Sequence, residues 1–344
     1  MKRTLKGIVA TLVASFVMSV IPLSTLAATE VEINSDNFGS DSFASYLKTV
    51  EKTTAGCNGD GKFSDSELKL IKSLKPDSSV TRIIGLKVFP NLKELDVSAC
   101  YKLTRLNASK ATSLNTLKLG SIENLEFLYV MNTAVSSIDV SNLAGLKKLY
   151  LSESPVTSIN LANNTDLLEL GLDGTAITSL DISACTNLRS LDISNNGDAI
   201  ESLNIGHNIW LVRTGVGGDK KSEDNVIEYK KTLDDIEYLL RLDSGTNVYC
   251  AIDETIFPDL IFRKEIESKD PNKDGILSLD ELIDFQYLNI NGDYKLKSIE
   301  GIEIFYNLES LWLKCCKLPY VDLSDNPNIS KLELSNCSTR EINL

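Results

Sequence analysis

From Leu114 onward, large aliphatic residues return at relative positions 1, 4 and 6 of short units: "LNTLKLGSI", "LEFLYVMNT", "VSSIDVSNL", "LKKLYLSES", "VTSINLANN", "LLELGLDGT", "ITSLDISAC" and "LRSLDISNN". Alternate units keep a fixed spacing, since Leu125, Leu146, Leu167 and Leu188 are 21 residues apart, as are Val135, Val156 and Ile177. Positions 4 and 6 share one face of an extended strand while position 5 points away, so each unit predicts a short strand with an aliphatic inner face. No unit can bury that face alone, and the pattern therefore requires coil to stack on coil. The step from Ile177 to Ile200 is 23 residues, with the surplus in the turn "NNGDA".

A period near 21 with L-x-x-L-x-L-x-x-N/C is the signature of a leucine-rich-repeat solenoid of short parallel strands. Position 9 holds Cys100, Asn164, Thr175, Cys185, Asn196, Asn208, Cys316, Asn326 or Cys337. The slot needs a small group that turns inward and bonds the backbone of the turn, which a thiol or an amide can do. Four of the seven cysteines are thus assigned to packing, and Cys57, Cys250 and Cys315 are left over, which argues against a disulfide framework.

The pattern is also duplicated. "INSDNFGSDSF", Ile33 to Phe43, returns 219 residues later as "IDETIFPDLIF", and "IIGLKVFPNLKELDV" returns as "IEGIEIFYNLESLWL". The expected organisation is a leader over 1–27, a helical cap over 28–84, an array over 85–212, a linker or helical connector over 213–247, a second cap over 248–298 and a second short array over 299–344. "TGVGGDKKSEDN" is the linker candidate, and the apolar spacing in "LDDIEYLLRL" predicts a helix. "FPDLIFRKEI" predicts another, with Pro258 in its first turn.

"DPNKDGILSLDE", Asp270 to Glu281, has the spacing of an EF-hand calcium loop. Asp270, Asn272 and Asp274 fall at positions 1, 3 and 5, the Ile276 carbonyl at 7, Ser278 at 9 and Glu281 at 12, with Gly275 at the bend and Leu277 anchoring position 8. These are hard oxygens in the number calcium takes. A plain turn, or a helix capping box from Ser278 and Glu281, explains only part of the set. In the first copy "GCNGDGKFSDSE" keeps Asn58, Asp60, the Lys62 carbonyl, Ser64 and Glu67, but position 1 is Gly56, so a weaker or empty site is expected there.

Composition narrows the function. Lys2, Arg3 and Lys6, an uncharged run and small residues at Thr25 and Ala27 read as a secretory signal peptide. Its removal leaves 32 basic and 48 acidic groups, a formal charge of −16 that repels nucleic acid and anionic lipid. No second run predicts membrane insertion. Units starting at Leu125, Leu146 and Leu167 turn Phe127, Tyr129, Met131, Lys148, Tyr150 and Glu169 outward, with Ser152 and Asp173, a make-up suited to recognition of a partner. The units between them present a uniform face of serine, aspartate and asparagine. His207 is the one histidine, and it sits in a turn; nucleophile, zinc and phosphate-loop motifs are absent.

On these repeats, the chain resembles secreted bacterial leucine-rich-repeat proteins of internalin style, in which a helical cap precedes a solenoid. The resemblance implies a non-enzymatic binding or adhesion protein, outside the cell or at its surface, with an extracellular protein or glycan as partner and calcium as a structural ion. A carboxylate-dependent extracellular glycosidase is the rival class. The calcium loops also resemble those of dockerins, which implies cohesin binding as a further alternative, although dockerin loops lie close together within one domain.

Overall fold

The protein is described by a computed structural model over residues 30–344, apart from 198, 224, 234 and 235. The expected leader lies outside the described residues. Aliphatic residues at alternate positions place short strands side by side in parallel. Arg82–Ile83, Arg105–Asn107, Phe127–Tyr129, Lys148–Tyr150, Glu169–Gly171 and Ser190–Asp192 follow one another in a single sheet, each paired to the next. Their central residues Ile83, Leu106, Leu128, Leu149, Leu170 and Leu191 are buried at 0–1% exposure. A second row pairs Ser73–Leu74, Glu94–Asp96 and Thr116–Lys118, and there it stops: the units from Val135, Val156 and Ile177, expected as strands, bury most of their aliphatic residues without forming any, and Ser202–Asn204 belongs to a separate sheet. The result is a repeat solenoid whose interior is one continuous aliphatic core.

The ninth-position residues turn inward and tie successive coils. Asn164 Nδ2 donates to the carbonyls of Val140 (3.2 Å) and Leu143 (2.9 Å), and Asn326 Nδ2 to those of Ile302 (2.8 Å) and Phe305 (3.1 Å). Cys100 and Cys337 do the same with their thiols, at 3.2 Å from Asp77 O and Leu313 O. The Val140, Leu143, Ile302 and Phe305 carbonyls already take a backbone N–H within their own turns, so each side-chain bond fills a second lone pair and pairs the buried amide donor.

Two helical units flank the first array. In the first, Asn34 and Ser40 cap α1 (Ser35–Phe38) and α2 (Asp41–Thr53), and Ser64 with Glu67 forms a capping box on α3 (Asp65–Leu68). Phe38, Phe43, Phe63 and Phe89 form its aromatic core, with Phe38 edge-on to Phe43 at 6.3 Å and stacked on Phe89 at 5.9 Å. In the second unit Phe257 is edge-on to Phe262 at 5.6 Å and stacked on Phe305 at 6.1 Å. Asp259 caps its helix, so that helix begins at Leu260 and Pro258 stands just before the cap instead of in the first turn.

The segment between the arrays departs from expectation. Residues 209–217 form a helix, α4 (Ile209–Gly217), and "IEYLLRL" is a strand, Ile236–Asp243, not a helix. Tyr238, Leu240 and Leu242 are buried while the residues between them face outward, and tertiary pairing selects this period of two over the helical reading. The strand joins a hairpin with Val226–Leu233 and lies parallel to Ser190–Asp192, with Leu240 opposite Leu191. Arg241 fixes the join through Asp192 (2.7 Å) and Glu228 (3.2 Å). Asn247–Ala251 then pairs in parallel with Ser202–Asn204 and antiparallel with Ile276–Ser278, so the second unit is built onto the end of the first array. The second array follows as Tyr287–Asn291, Ser310–Lys314 and Lys331–Ser335.

Both helical units rest on a glycine that opens a short 3-10 turn. A Cβ on Gly85 (φ +80°) would fall 2.2 Å from Asn37 O, and one on Gly301 (φ +98°) would fall 2.4 Å from Ile256 O. Gly85→Ala and Gly301→Ala are each expected to cost roughly 2 kcal/mol or more in chemical unfolding, against about 1 kcal/mol for Gly197→Ala, which has a positive φ but open space. Equal losses at all three positions would show that the close approach contributes nothing.

Candidate functional site

Three features invite chemistry: the outward face of the long sheet, the loops of the helical units, and a cleft between the arrays. On the sheet, register brings side chains from successive coils into two ladders. One runs Arg105, Phe127, Lys148, Glu169, Ser190 and Leu239; the other runs Asn107, Tyr129, Tyr150, Gly171, Asp192 and Arg241. All six residues expected on this face are brought together here, Met131 one step beyond Tyr129. They are half-buried, not exposed, because they cover one another.

The covering is specific. Tyr129 and Tyr150 stack with centroids 5.5 Å apart and planes 11° apart. The Arg105 guanidinium lies 5.2 Å from the Tyr129 ring and 5.5 Å from that of Phe127, in cation–π range. Tyr150 leans over Gly171, where a Cβ would fall 2.4 Å from its ring. Its hydroxyl donates to Glu169 Oε2 (2.6 Å), whose other oxygen takes Lys148 Nζ at 2.5 Å. Burial and the Glu169 carboxylate both raise the Tyr150 phenol above its usual range, so it remains a donor.

Beside this stack a groove of about 350 Å³ is lined by Lys110, Met131, Tyr150, Asp173 and Asp192, among others. Ser152 donates to Asp173, and Ser194 to Asp192 at 2.6 Å. Burial raises the Asp192 carboxyl despite its bond from Ser194 and its pairing with Arg241. Arg105, Gly171 and Arg241 escaped the sequence reading. Extending the unit alignment one coil upstream finds Arg105, but Arg241 was hidden because its strand reads as a helix.

In the second loop Asp270 is buried (3% exposed) and accepts from Lys273 N (3.0 Å) and Gly275 N (2.9 Å). Asn272 and Asp274 are exposed and accept from Asp274 N and Ile276 N, both at 3.0 Å. Glu281 accepts from Ser278 N (2.8 Å) and Ser278 Oγ (2.9 Å), the capping box that competes with the metal reading. In the first loop Asn58 Oδ1 accepts from Asp60 N (3.0 Å) and Asp60 Oδ1 from Lys62 N (2.9 Å). Glu67 closes that loop, taking Asn58 N on Oε1 and Ser64 N on Oε2, each at 2.8 Å, and the Ser64 bonds hold its carboxyl below the usual range. Among the described residues no three Asp, Glu, His or Cys side chains converge on a common point. The donors are nonetheless all oxygen, which suits a hard cation by chemistry if not by a closed shell.

A third feature is a cleft of about 570 Å³ where the two arrays meet, lined by His207, Glu300, Glu303, Asp322 and Asp325 among others. His207 Nε2 is 3.2 Å from Thr255 Oγ1. Asp325 pairs with Arg213 of α4, Asp322 takes Ser324 Oγ (2.7 Å) and Tyr320 Oη (3.0 Å), and burial raises Glu303.

No protein-family model matches the chain, and no curated protein matches it. Similar solved structures include the functional domain of InlJ from Listeria monocytogenes, which includes a cysteine ladder (18% identity, TM-score 0.21, covering 91% of this chain and 73% of that one). An internalin C2 from Listeria monocytogenes is 15% identical, with a TM-score of 0.23 and 92% of each chain covered. A leucine-rich-repeat protein of Leptospira interrogans, LIC12759, is 17% identical, with a TM-score of 0.26, covering 76% of this chain and 71% of that one. At such values the likeness carries no argument, and the solenoid rests on the strand ladders themselves. Among the described residues no helix is long and apolar enough to cross a membrane.

Because Gly171 gives Tyr150 its place, Gly171→Ala is expected to push the ring out and change the near-ultraviolet circular dichroism of the tyrosines, leaving the far-ultraviolet spectrum intact. An unchanged near-ultraviolet spectrum would refute that role.

Proposed function

We propose that this chain is an exported, non-enzymatic binding protein, a leucine-rich-repeat solenoid of two tandem cap-plus-array copies. It recognises an extracellular partner through the Tyr129–Tyr150 face, with calcium as a structural ion. The observation that carries the reading is the stack of Arg105, Tyr129 and Tyr150 beside an open groove. Tyrosine and arginine dominate binding energy at interfaces, and here neighbouring coils already hold them in place, which lowers the ordering cost of association. The ring faces are spent on one another, leaving edges, a hydroxyl and charged groups outward. That favours a protein partner over a sugar, which needs a free aromatic face.

Screening the mature protein against a peptide display library and a glycan array tests the reading. Ligands selected by the wild type are expected to lose about tenfold or more in affinity with Tyr129→Ala and Tyr150→Ala combined. Retention of every ligand by that variant would remove the face from the proposal.

For the ion, Asp270, Asn272, Asp274, the Ile276 carbonyl, Ser278 and Glu281 would hold calcium, which supplies charge neutralisation to a loop whose donors otherwise repel. Affinity of ~0.1–1 mM suffices outside a cell. Calcium is expected to raise the melting temperature, and Asp270→Asn to remove most of the effect. Superimposable melting curves with calcium and with a chelator would end this part of the proposal.

A second reading, the extracellular glycosidase, draws on the junction cleft, where carboxylates line a cavity and Glu303 is raised as a general acid must be. Asp325 is tied to Arg213, Asp322 to Tyr320 and Ser324, and Glu303 to the Gly301 N–H of its own turn, which favours a structural role. Hydrolysis of any aryl glycoside by the wild type that is lost in Glu303→Gln would reverse the ranking.

A further inference from the structure

The second array carries an outward sheet face of its own. Tyr287–Asn291, Ser310–Lys314 and Lys331–Ser335 pair in parallel, with Asn289 opposite Trp312 and Trp312 opposite Glu333. Leu288, Ile290, Leu311 and Leu313 turn inward and are 0% exposed, so the residues between them form the outer surface. Neighbouring strands lie about 4.8 Å apart and outward residues along one strand about 7 Å apart, which sets Trp312 at the centre of a platform of about 10 Å by 13 Å. Asn289 and Glu333 flank it across the strands, and Ser310 and Lys314 flank it along its own. Tyr287 and Lys331 stand at the two corners on either side of Ser310.

This face is built unlike the one on the first array. There the polar groups are spent on one another, Lys148 on Glu169, Tyr150 on Glu169 and Arg241 on Asp192. Here the side chains of Asn289, Lys314 and Glu333 are exposed and hold no hydrogen bond or ion pair with any described residue. The aromatic groups are open as well. Tyr287 is 59% exposed, and its ring lies 6.4 Å from that of half-buried Trp312 with planes 27° apart, an offset pair and not a face-to-face one. Lys331 Nζ stands 5.2 Å from the centre of the Trp312 ring, a cation already held beside the platform.

Flat aromatic surface beside unpaired amide, carboxylate and ammonium groups meets the needs of a sugar. The C–H face of a sugar ring packs on an aromatic ring, and its hydroxyls both donate and accept around the edge. A protein partner is less suited, because the centre of a protein interface excludes charge and here charged groups adjoin the central indole. Charge narrows the class of glycan. The chain has a formal charge of −13, yet Lys314 and Lys331 outnumber Glu333 on this platform, so an anion repelled by most of the surface is attracted here.

We propose that the Tyr287–Trp312 platform binds a glycan that carries carboxylates. The sugar stacks on the two rings, its hydroxyls meet Asn289 and Glu333, and its carboxylate meets Lys314 and Lys331. The site is separate from the Tyr129–Tyr150 face and gives the two arrays different ligands.

Screening the mature chain on an array of sialylated, uronate-containing and neutral oligosaccharides is the test, followed by calorimetric titration with the best carboxylated glycan and with its methyl ester. The carboxylated glycans are expected to bind, and the ester to bind roughly tenfold more weakly. Lys314→Glu, at an exposed position, should cost about tenfold or more with the circular dichroism unchanged, and Trp312→Ala should abolish binding. The chain has two tryptophans, and Trp210 is packed against Tyr238, so Trp210→Phe leaves Trp312 as the reporter whose fluorescence shifts on binding. Tyr129→Ala combined with Tyr150→Ala should leave the glycan affinity unchanged. An array on which no carboxylated glycan binds, equal affinity for acid and ester, or binding that survives both Trp312→Ala and Lys314→Glu would overturn the proposal. Peptide ligands that require Trp312, in the absence of any glycan that does, would give the face to a protein and overturn it as well.

Discussion

A coil of this chain cannot bury its own leucines; each inward row is covered only when a neighbour stacks on either side. Everything else in the structure answers that requirement. Within the arrays it is met by repetition, which leaves Leu106, Leu128, Leu149 and Leu170 at no more than 1% exposure. At the ends repetition fails, and something of different construction must take over. The first helical unit covers one end of the first array, while a hairpin and the second unit cover the other. On the last coil Leu332 and Leu334 are only half-buried and Ile342 is 41% exposed.

The two helical units share a plan yet meet different surroundings. Residues 37 and 256 correspond by the step of 219. Asn37 is exposed, whereas Ile256 is buried where Gly206 of the first array leaves no room for a side chain. A polar residue suits a unit that faces solvent, and an aliphatic one suits a unit set into a joint. Helix α4 completes that joint: Trp210 stacks on Tyr238 of the hairpin at 5.1 Å, and Arg213 reaches Asp325 of the second array. The arrays are thereby held by packing and charge as well as by the chain that links them.

The same stacking that buries the inside orders the outside. Because strands repeat in register, any side chain type that recurs at an outward position becomes a ladder, and a ladder of long side chains packs against itself. Tyr129 and Tyr150 are rigid for that reason, and Gly171 ends the stack by leaving the space that the ring of Tyr150 fills. Rigidity of this kind comes from the core spacing and requires no dedicated scaffold around the site.

The repeat, the strands of the units from Leu125, Leu146, Leu167 and Leu188, the inward ninth residues and the six residues of the outward face were legible in the sequence, because each depends on local periodicity; the units from Val135, Val156 and Ile177 share that periodicity but form no strand. What periodicity cannot carry was decided by the tertiary structure. Ile236–Asp243 is a strand because Ser190–Asp192 offers it an open edge, and its own residues allow either period. The second helical unit is welded to the first array because Asn247–Ala251 pairs with two partners far away in the chain. Spacing along the chain determines what each segment can become; the unpaired edges and buried donors of its neighbours determine which of those possibilities it takes.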